Sequence, residues 1–470
     1  MKMRRFIIAC FALFSLSLFA DAPKYIFLFI GDGMAVTQRH AAEEFSKKIG
    51  RGPLVINSLP CKGLTTTRSA NSLVTDSAAA ATAIACGEKA KNYTVGRNAQ
   101  GKDVYSSAVA AKEAGKKVGI VSTVAITHAT PAGFYAHRAA RGENYGIAID
   151  LVHSGFDFFA GGGLDNKYKD SKAKEFKKYG HAYKYAESKG YKIVRTKEDF
   201  LKLKPSDGKI LTRMTDGALP YSIDIGSENQ YPTLAEIVAK GIEMLDNPKG
   251  FFMMAEGGRI DWAGHGNDAA ANVRETLAFD DAVKVALEFY NKHPKETLIV
   301  ITGDHETGGL TMGVANTGYS IDMGVLKYQT MSIGEFTGKI SRHYKKNPSL
   351  TIEDIKPLVA KAFGITFDGS KDGISLTDKE YAEFVKAFES DMKFLKAKKE
   401  ENKAYDGPKR YILGTTLAKI LERRAGVAWS TGGHTAQSVL TTAIGCEAEL
   451  FNMPMDNTDI SKKLKSFFGK

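Results

Sequence analysis

The sequence predicts an α/β fold in which helices flank both faces of a central, mostly parallel sheet, with an inserted helical or irregular cap. Short apolar runs that end abruptly at Gly, Asp or His indicate buried strands of a parallel sheet. Helical stretches such as residues 105–114 and 270–290 separate these runs. A chain of 470 residues with 43% hydrophobic and 25% charged residues can build a large core, which excludes a disordered chain and a small disulfide scaffold.

The first 20 residues have the features of a secretory signal peptide. A basic start precedes an apolar run over residues 6–19 and then Ala20. This run is shorter than the roughly 20 apolar residues that a transmembrane helix needs. We therefore expect cleavage after Ala20, a periplasmic or secreted protein without a membrane span once the signal is removed, and one large domain over residues 21–470. An uncleaved anchor or a lipoprotein is the alternative.

The net charge of +12 suggests at first a nucleic-acid or membrane-surface partner. Part of this charge belongs to the signal peptide, and the segment 166–204 holds 13 Lys and Arg residues against 5 Asp and Glu residues. Because the excess is local, we interpret it as a solvated basic surface and expect no nucleic acid as a specific partner. The mature chain keeps Cys61, Cys86 and Cys446, which allow one disulfide at most, and the sequence does not tell which of them pair.

Strand-like runs followed by polar residues define the edge of the sheet at which chemistry is expected. These runs are residues 25–30, 118–124, 158–159, 251–254 and 298–301. In folds of this class, ligands bind beyond the carboxyl ends of the strands. Most of the candidate chemical residues follow such ends, so we expect them to meet at one edge of the sheet.

An alanine run after Ser77 predicts a helix that begins at this serine. Alanine has the highest helix propensity, Thr75 or Asp76 suits the N-cap, and Gly87 suits the end of the helix. The free N–H groups at a helix start favour an anion. Ser77 is therefore a candidate nucleophile beside an anion site, although an ordinary capped helix explains the same pattern.

Aspartate and histidine residues at strand ends and in glycine-rich turns predict a metal centre. Asp261 and His265 are four residues apart, so on a helix they share one face, as a pair of metal ligands must. The other candidates follow a strand or lie in a glycine-rich loop: Asp32, Asp304, His305 and His434. A single histidine is more often structural, but so many such residues at these positions are hard to explain structurally.

Between about residues 314 and 427 the strand pattern gives way to polar helices, notably residues 351–363 and 377–402. We interpret this stretch as an insertion or small cap on one large domain.

Seven motifs resemble those of the alkaline phosphatase family and come in the family's order. They are Gly31-Asp32-Gly33, Thr75-Asp76-Ser77-Ala78, His128-Ala129-Thr130-Pro131-Ala132, Arg141, residues 256–265, residues 302–305 and Gly433-His434-Thr435. The resemblance covers most of the mature sequence, but segments 166–204 and 314–427 match poorly. It implies an enzyme that hydrolyses small phosphate monoesters.

The resemblance also implies a role for each motif residue. Ser77 would be the nucleophile that forms a phosphoseryl intermediate, and Arg141 would contact two phosphate oxygens. One zinc ion would have the ligands Asp261, His265 and His434. A second zinc ion would have the ligands Asp32, Asp304 and His305. A magnesium ion would have the ligands Asp32, Thr130 and Glu256.

These roles agree with the chemistry of the side chains. Zinc accepts imidazole and carboxylate ligands, whereas magnesium prefers oxygen ligands. Two neighbouring metal ions can stabilise the attacking and leaving oxygens of an in-line displacement. The planar guanidinium of Arg141 suits contact with two phosphate oxygens.

Two positions depart from one common form of the family pattern. Some members have aspartate where this chain has His128, and lysine where it has Trp262. His128 is thus either a direct ligand of the third metal ion or a donor to its ligands, and magnesium or zinc could occupy that site.

Other functions remain open from the sequence alone. A phosphodiesterase or sulfatase of the same superfamily is one alternative, but Arg141 favours a monoester. A metal-binding or phosphate-binding protein without turnover is another, but such a protein has no use for Ser77 as a nucleophile. Because family members are often dimers, we expect a homodimer. The sequence does not identify the physiological substrate.

Overall fold

The computed structural model describes residues 22–226, 229–315, 317–367, 373–401 and 411–469, so the predicted signal peptide lies outside the described residues. The described chain forms one large sheet of ten strands. In chain order these are Tyr25–Gly31 (β1), Cys61–Thr66 (β2), Lys117–Ser122 (β3), Phe158–Ala160 (β4), Tyr191–Val194 (β5), Lys209–Thr212 (β6), Phe251–Glu256 (β7), Thr297–Gly303 (β8), Val439–Gly445 (β9) and Met455–Asp456 (β10).

The sheet is mostly parallel, as the sequence predicts. Its strand order is β10-β2-β9-β8-β1-β7-β3-β4-β6-β5. Strand β9 runs antiparallel to both β8 and β2, and the other neighbours pair in parallel. All five predicted strands are present. Strand β1 lies between β7 and β8, and its side chains are all buried, which explains its continuous apolar run.

Helices alternate with the strands over most of the described chain. They are Val36–Lys48 (α1), Ser77–Cys86 (α2), Ser107–Glu113 (α3), Ala129–Ala132 (α4), Asn144–Ser154 (α5), Phe176–Tyr179 (α6), Ala182–Ser188 (α7), Lys197–Leu201 (α8), Leu234–Leu245 (α9), Arg259–His265 (α10), Ala269–Lys292 (α11), Ile333–Lys346 (α12), Ile352–Phe363 (α13), Asp378–Lys399 (α14), Leu413–Ala425 (α15) and Asn457–Ser466 (α16). None of the helices in this described part is long and apolar enough to cross a membrane.

Each face of the sheet has its own apolar core because side chains alternate along a strand. From β1, Ile26 and Leu28 join a cluster that includes residues of α2, α3, α5 and α16. Phe27 and Phe29 join a second cluster with residues of α1, α9 and α11. The predicted helical layers on both faces are therefore confirmed.

Helices α12 to α15 surround a third apolar cluster that includes Phe336, Phe384 and Leu417. Helices α13 and α14 match the two that the sequence predicts in this stretch within three residues at each end. Three further pairs of short strands lie outside the large sheet: Glu306–Thr307 with His434–Thr435, Leu310–Met312 with Val427–Trp429, and Ile365–Thr366 with Ile374–Ser375. The division into one catalytic domain with an insertion at about 314–427 stays a prediction.

Asp268 connects this helical region to the helices that pack on the sheet. Its carboxylate accepts a hydrogen bond from the Ala271 backbone N–H (3.1 Å) at the start of α11. It also accepts from the Gln329 side chain (2.8 Å) and from the Ile333 N–H (2.8 Å) at the start of α12. Burial raises the pKa of Asp268 to about 6 although these donors oppose the shift. One buried carboxylate thus fixes two helix starts.

Replacing Asp268 with Ala removes the acceptor of three hydrogen bonds, among them those that cap α11 and α12, so Asp268→Ala should lower the free energy of unfolding by about 2–4 kcal/mol. Asp322→Ala is the matched control, because Asp322 also caps a turn through the Gly324 N–H but is exposed. The control should cost less than about 1 kcal/mol. Urea denaturation of both variants checks this, and equal shifts would contradict it.

Candidate active site

The carboxyl ends of β1, β3, β7 and β8 lie side by side in the sheet. In the parallel register, Ile30 of β1 pairs with Glu256 of β7 and with Thr302 of β8. Ser122 of β3 pairs with the same Glu256. The loops that follow these strands therefore begin at one level, and they carry most of the residues that the sequence predicts for the site.

Ser77 is the first residue of α2 and is buried. The Asp76 side chain caps this helix by accepting a hydrogen bond from the Ala79 N–H (3.0 Å). Helix α2 ends at Gly87, whose φ of 79° is the left-handed conformation that the sequence predicts there. The Ser77 hydroxyl oxygen Oγ lies 3.3 Å from Nε2 of His305, so the serine faces the metal-ligand candidates.

Asp261, His265 and His434 meet as the sequence predicts. Nε2 of His265 lies 3.4 Å and Nε2 of His434 lies 3.5 Å from the same Asp261 oxygen, Oδ1. The two Nε2 atoms are 3.2 Å apart. Each ring is oriented through Nδ1, which lies 2.7 Å from the Gly432 carbonyl oxygen for His265 and 2.8 Å from that of Thr75 for His434. Their Nε2 atoms are thereby directed to one place.

A second group of ligands consists of Asp32, Asp304 and His305. Nε2 of His305 lies 3.3 Å from Oδ1 of Asp32 and 3.2 Å from Oδ2 of Asp304. The other Asp304 oxygen accepts hydrogen bonds from the backbone N–H groups of Gly33 (3.1 Å) and of His305 (2.9 Å). The His305 ring stacks on His434 with 3.6 Å between centroids, so the first two groups adjoin.

The third group lies on the β3 side of Asp32. Ligand atoms of Asp32, His128 and Glu256 lie within 4.8 Å of one another. The Thr130 hydroxyl donates a 3.4 Å hydrogen bond to Asp32, and Ser122 donates to Glu256. The structure thus brings His128 as well as Thr130 to this group.

Several candidate ligand atoms at the site are buried and have no hydrogen-bond partner among the residues that the structure describes. They are Oδ1 of Asp32, Oε1 of Glu256, Oδ2 of Asp304 and Nδ1 of His128. Burying a carboxylate oxygen without a donor is costly, whereas a bound cation satisfies it. The residues present therefore fit a set of metal ions, and each of the three groups can hold one.

The crowding of acidic groups changes their protonation equilibria. Burial, followed by the negative charges of neighbouring carboxylates, raises the pKa of Asp304 to about 7 and that of Glu256 to about 8. The same causes raise the pKa of Asp32 well above its usual range. Burial alone would raise the pKa of Asp261 too, but a hydrogen bond to His434 and the nearby imidazoles lower it. The cluster therefore needs protons or metal cations to balance its charge.

The imidazoles of His128 and His305 are shifted toward their neutral form. Burial and the charge of Arg141 lower the pKa of His128 to about 3. Burial, followed by the neighbouring His434, lowers the pKa of His305 well below its usual value. A neutral imidazole has the free lone pair that a metal ligand requires.

Arg141 reaches the start of α2 from the loop after α4. Its Nη1 donates a 3.1 Å hydrogen bond to Asp76, and its Nη2 lies 3.0 Å from Nε2 of His128. Its backbone N–H donates to the Tyr93 carbonyl oxygen (2.7 Å). A small cleft of about 330 Å³ opens here, lined by Val74, Thr75, Asp76, Asn92, Tyr93, Arg141, His265 and His434. Two of its lining side chains, Val74 and Tyr93, are exposed, so the cleft faces solvent.

Sequence reasoning missed several residues that orient the ligands. Glu306 is buried and accepts hydrogen bonds from the Gly309 N–H (3.0 Å), the Leu310 N–H (3.1 Å) and the Thr435 hydroxyl (2.5 Å), which ties the loop of His434 to β8. Thr307 donates to Asp261. The polar run that follows His305 was the available signal. No local sequence feature indicates that Asp76 contacts Arg141 or that Ser122 donates to Glu256.

A serine and an arginine that face three groups of metal ligands suit the hydrolysis of a phosphate ester, and this fold and site together define a metal-dependent phosphatase. The family profile of the alkaline phosphatases matches residues 23–469, and the chain belongs to this family. It is accordingly a phosphomonoester hydrolase.

Individual relatives are similar to this chain over nearly its whole length. Alkaline phosphatase 3 of Bacillus subtilis (strain 168) is 32% identical over 459 residues, which cover 94% of this chain and 88% of that protein. The cold-active alkaline phosphatase of the psychrophile Shewanella sp. superposes with a TM-score of 0.78 at 28% identity, covering 95% of this chain and 100% of that one. The alkaline phosphatase of the Antarctic bacterium TAB5 superposes with a TM-score of 0.65 at 27% identity, covering 96% of this chain and 99% of that one.

Gly33 allows the loop after β1 to pass close to α10. Its φ is +73°, and a Cβ atom at this position would lie 2.8 Å from Cα of Asp261 and 2.8 Å from Oγ1 of Thr307. A larger residue therefore meets both a strained backbone conformation and a backbone that carries a metal-ligand candidate. Gly50 has a similar φ of +79° but open space around it.

Gly33→Ala should lower the free energy of unfolding by more than Gly50→Ala, which suffers the conformational cost of about 1–2 kcal/mol alone. It should also reduce monoester turnover by at least about tenfold, since Asp261 must move. Thermal unfolding and initial rates with nitrophenyl phosphate measure the two effects. If both variants kept the same activity, the close packing of Gly33 on Asp261 would have no role in the site.

Proposed function

We propose that the chain hydrolyses phosphate monoesters through a phosphoseryl intermediate on Ser77, at a site with two zinc ions and one magnesium ion. The observation that carries this proposal is the position of Ser77. Its hydroxyl lies at the N-terminus of a buried helix, 3.3 Å from a histidine that also faces Asp32 and Asp304, with Arg141 beside the same helix start.

The contact between Ser77 and His305 differs from that of a serine–histidine–aspartate triad. In a triad one ring nitrogen faces the serine and the other faces the carboxylate. Here the single atom Nε2 of His305 faces Ser77, Asp32 and Asp304 at 3.2–3.3 Å. One nitrogen cannot serve all three as a proton relay, whereas a cation between them satisfies the nitrogen and the oxygens together.

The residues that would hold each ion follow from the donor atoms. The first zinc ion would be bound by Asp261, His265 and His434. The second zinc ion would be bound by Asp32, Asp304 and His305. The magnesium ion would be bound by Asp32, Thr130 and Glu256. When bound, the ions would act as Lewis acids that stabilise negative charge on the attacking and leaving oxygens.

The protein's own groups hold the phosphoryl group in place. Arg141 presents a guanidinium beside the N-terminus of α2, whose free N–H groups also favour phosphate oxygens. A phosphate monoester has three terminal oxygens, one more than a diester, so a guanidinium can contact two of them while the third faces the candidate metal ligands. This arrangement favours a monoester over a diester, and the second negative charge of a phosphate monoester favours it over a sulfate ester.

The reaction has two displacements at phosphorus. In the first, a bond forms between Oγ of Ser77 and phosphorus, the ester P–O bond breaks, and the alcohol leaves with the serine proton. In the second, water attacks the phosphoserine, the Oγ–P bond breaks, and inorganic phosphate leaves as Ser77 regains a proton. Asp76 fixes both the start of α2 and Arg141, so the nucleophile and the phosphate contact keep their relative positions.

The third group can take its ion in two ways. Asp32, Thr130 and Glu256 offer oxygen atoms, which suit magnesium. His128 adds a nitrogen, as a direct ligand or as a neighbour of the ligands, and nitrogen favours zinc. In the TAB5 relative, variants in which a histidine is replaced by Glu or Asp hold magnesium in the site called M3. An acidic residue at position 128 is expected to favour magnesium here in the same way.

Export and assembly belong to the same proposal. Residues 1–20 would direct the chain to the periplasm or the exterior and then be removed. The mature chain would be one catalytic domain over residues 21–470, with an insertion at about 314–427 whose separate apolar cluster supports this division. Its partners would be small phosphate monoesters and a second copy in a homodimer.

Ser77→Ala should reduce monoester turnover by on the order of a thousandfold or more, because it removes the hydroxyl that is proposed to take the phosphoryl group. Ser107→Ala is the matched control: Ser107 is also the buried first residue of a helix, and its hydroxyl has no hydrogen-bond partner. Wild-type enzyme quenched at low pH after reaction with labelled substrate should contain phosphoserine, and Ser77→Ala should not. Turnover by the wild type with a persistent absence of the label would contradict the phosphoseryl intermediate, and absence of both label and turnover would favour a binding protein.

Chelation should abolish turnover, and zinc with magnesium should restore it, because each ligand group needs a cation. His128→Asp should raise the ratio of bound magnesium to zinc, measured by elemental analysis of the purified protein. His40→Asp, at an exposed histidine, should leave this ratio unchanged. A chelator-resistant enzyme would refute the metal assignment, and an unchanged ratio in His128→Asp would show that His128 does not set the preference.

A further inference from the structure

A run of exposed lysines follows β4 at the same edge of the sheet as the site. Because β4 pairs in parallel with β3, the segment after β4 and the loop that carries His128 leave the sheet at one edge. Residues 167–178, here called the lysine loop, contain two acidic residues and six exposed lysines: Lys167, Lys169, Lys172, Lys174, Lys177 and Lys178.

The charge of the lysine loop is not compensated locally. Within the described part of the chain, none of its six lysines has an acidic oxygen within 4.0 Å. Of its two acidic residues, Glu175 binds Arg138 (2.6 Å), and Asp170 accepts from the backbone N–H of Lys172 (3.0 Å). The lysines therefore leave an excess of positive charge that faces solvent.

Hydrogen bonds attach the lysine loop to the segment that carries Arg141. The Asp165 N–H, just before the loop, donates to Oγ1 of Thr127 (2.9 Å), the neighbour of His128. Within the loop, Glu175 binds Arg138, three residues before Arg141. The Tyr168 side chain is buried and accepts a hydrogen bond from Arg213 (2.7 Å). The lysine loop is thus anchored to the segments that carry His128 and Arg141.

The cleft beside Arg141 faces solvent at the exposed side chains of Val74 and Tyr93, so a leaving group bound there is open to this field. We propose that the lysine loop makes the enzyme selective for phosphate monoesters whose leaving group carries a further negative charge, such as a carboxylate or a second phosphate. This inference rests on the proposed function. It is an electrostatic effect over several ångströms, so salt weakens it, since the Debye length falls from about 10 Å at 0.1 M to about 3 Å at 1 M.

A matched pair of substrates tests the inference on the purified, metal-loaded enzyme. Glycerol 3-phosphate and 3-phosphoglycerate are both esters of a primary alcohol, and the second carries one additional carboxylate. The ratio of kcat/KM for 3-phosphoglycerate to that for glycerol 3-phosphate should fall by about threefold between 20 mM and 500 mM NaCl. Turnover of neither substrate would contradict the proposed function and with it this inference. Turnover of both with a salt-independent ratio would overturn the inference alone.

Removing lysine charges tests whether the lysine loop causes the preference for the substrate with the additional carboxylate. The triple variant Lys172→Gln, Lys174→Gln and Lys177→Gln should lower this ratio by about two- to threefold at 20 mM NaCl and leave it unchanged at 500 mM. The control variant removes three exposed lysines that lie before β5 or β6, at the opposite edge of the sheet: Lys189→Gln, Lys202→Gln and Lys204→Gln. The control should keep the wild-type ratio. An equal change in both variants, or an equal loss of kcat/KM for both substrates, would overturn the inference.

Discussion

The repulsion among buried carboxylates at the centre of the sheet is the constraint on which the site depends. Asp32, Glu256 and Asp304 follow or end three adjacent strands whose parallel register brings their carboxyl ends level. Each has an oxygen without a hydrogen-bond partner, and burial with mutual repulsion raises the pKa of each. Apolar strands alone cannot stabilise such a cluster. Cations can, which is why these carboxylates at the end of an apolar sheet are candidate ligands for metal ions.

The sequence predicts best the strands that are buried on both faces. Strands β1, β7 and β8 are continuous apolar runs because helices cover both sides of the sheet, and such runs are readable without a structure. Strand β2 is exposed on one face and contains only one aliphatic side chain, Leu64, and β10 has two residues, so neither has a readable pattern. The reversed direction of β9 depends on distant pairing partners, and no local sequence feature specifies it.

The candidate site likewise has residues that the sequence predicts and contacts that it does not predict. The ligand residues are predictable because Asp and His stand next to glycine at strand ends, where ordinary packing does not require them. The contacts that orient these side chains are not predictable from the sequence, because they join residues that are far apart in the chain. Asp76 meets Arg141 across 65 positions, and the Thr75 carbonyl oxygen meets His434 across 359 positions. The residues at the start of α2 thereby contact both Arg141, which is proposed to bind phosphate, and His434, a candidate metal ligand.

The distribution of charge around the site has two layers of opposite sign. The inner layer is the carboxylate cluster, which repels a phosphate dianion unless metal ions reverse its field. The outer layer contains Arg141 and the lysine loop, and both attract anions. His128 lies between the layers, since it contacts Arg141 through one ring nitrogen and lies beside Asp32 and Glu256. An ion held by the third group would therefore change the electrostatic field at His128, which lies 3.0 Å from Arg141.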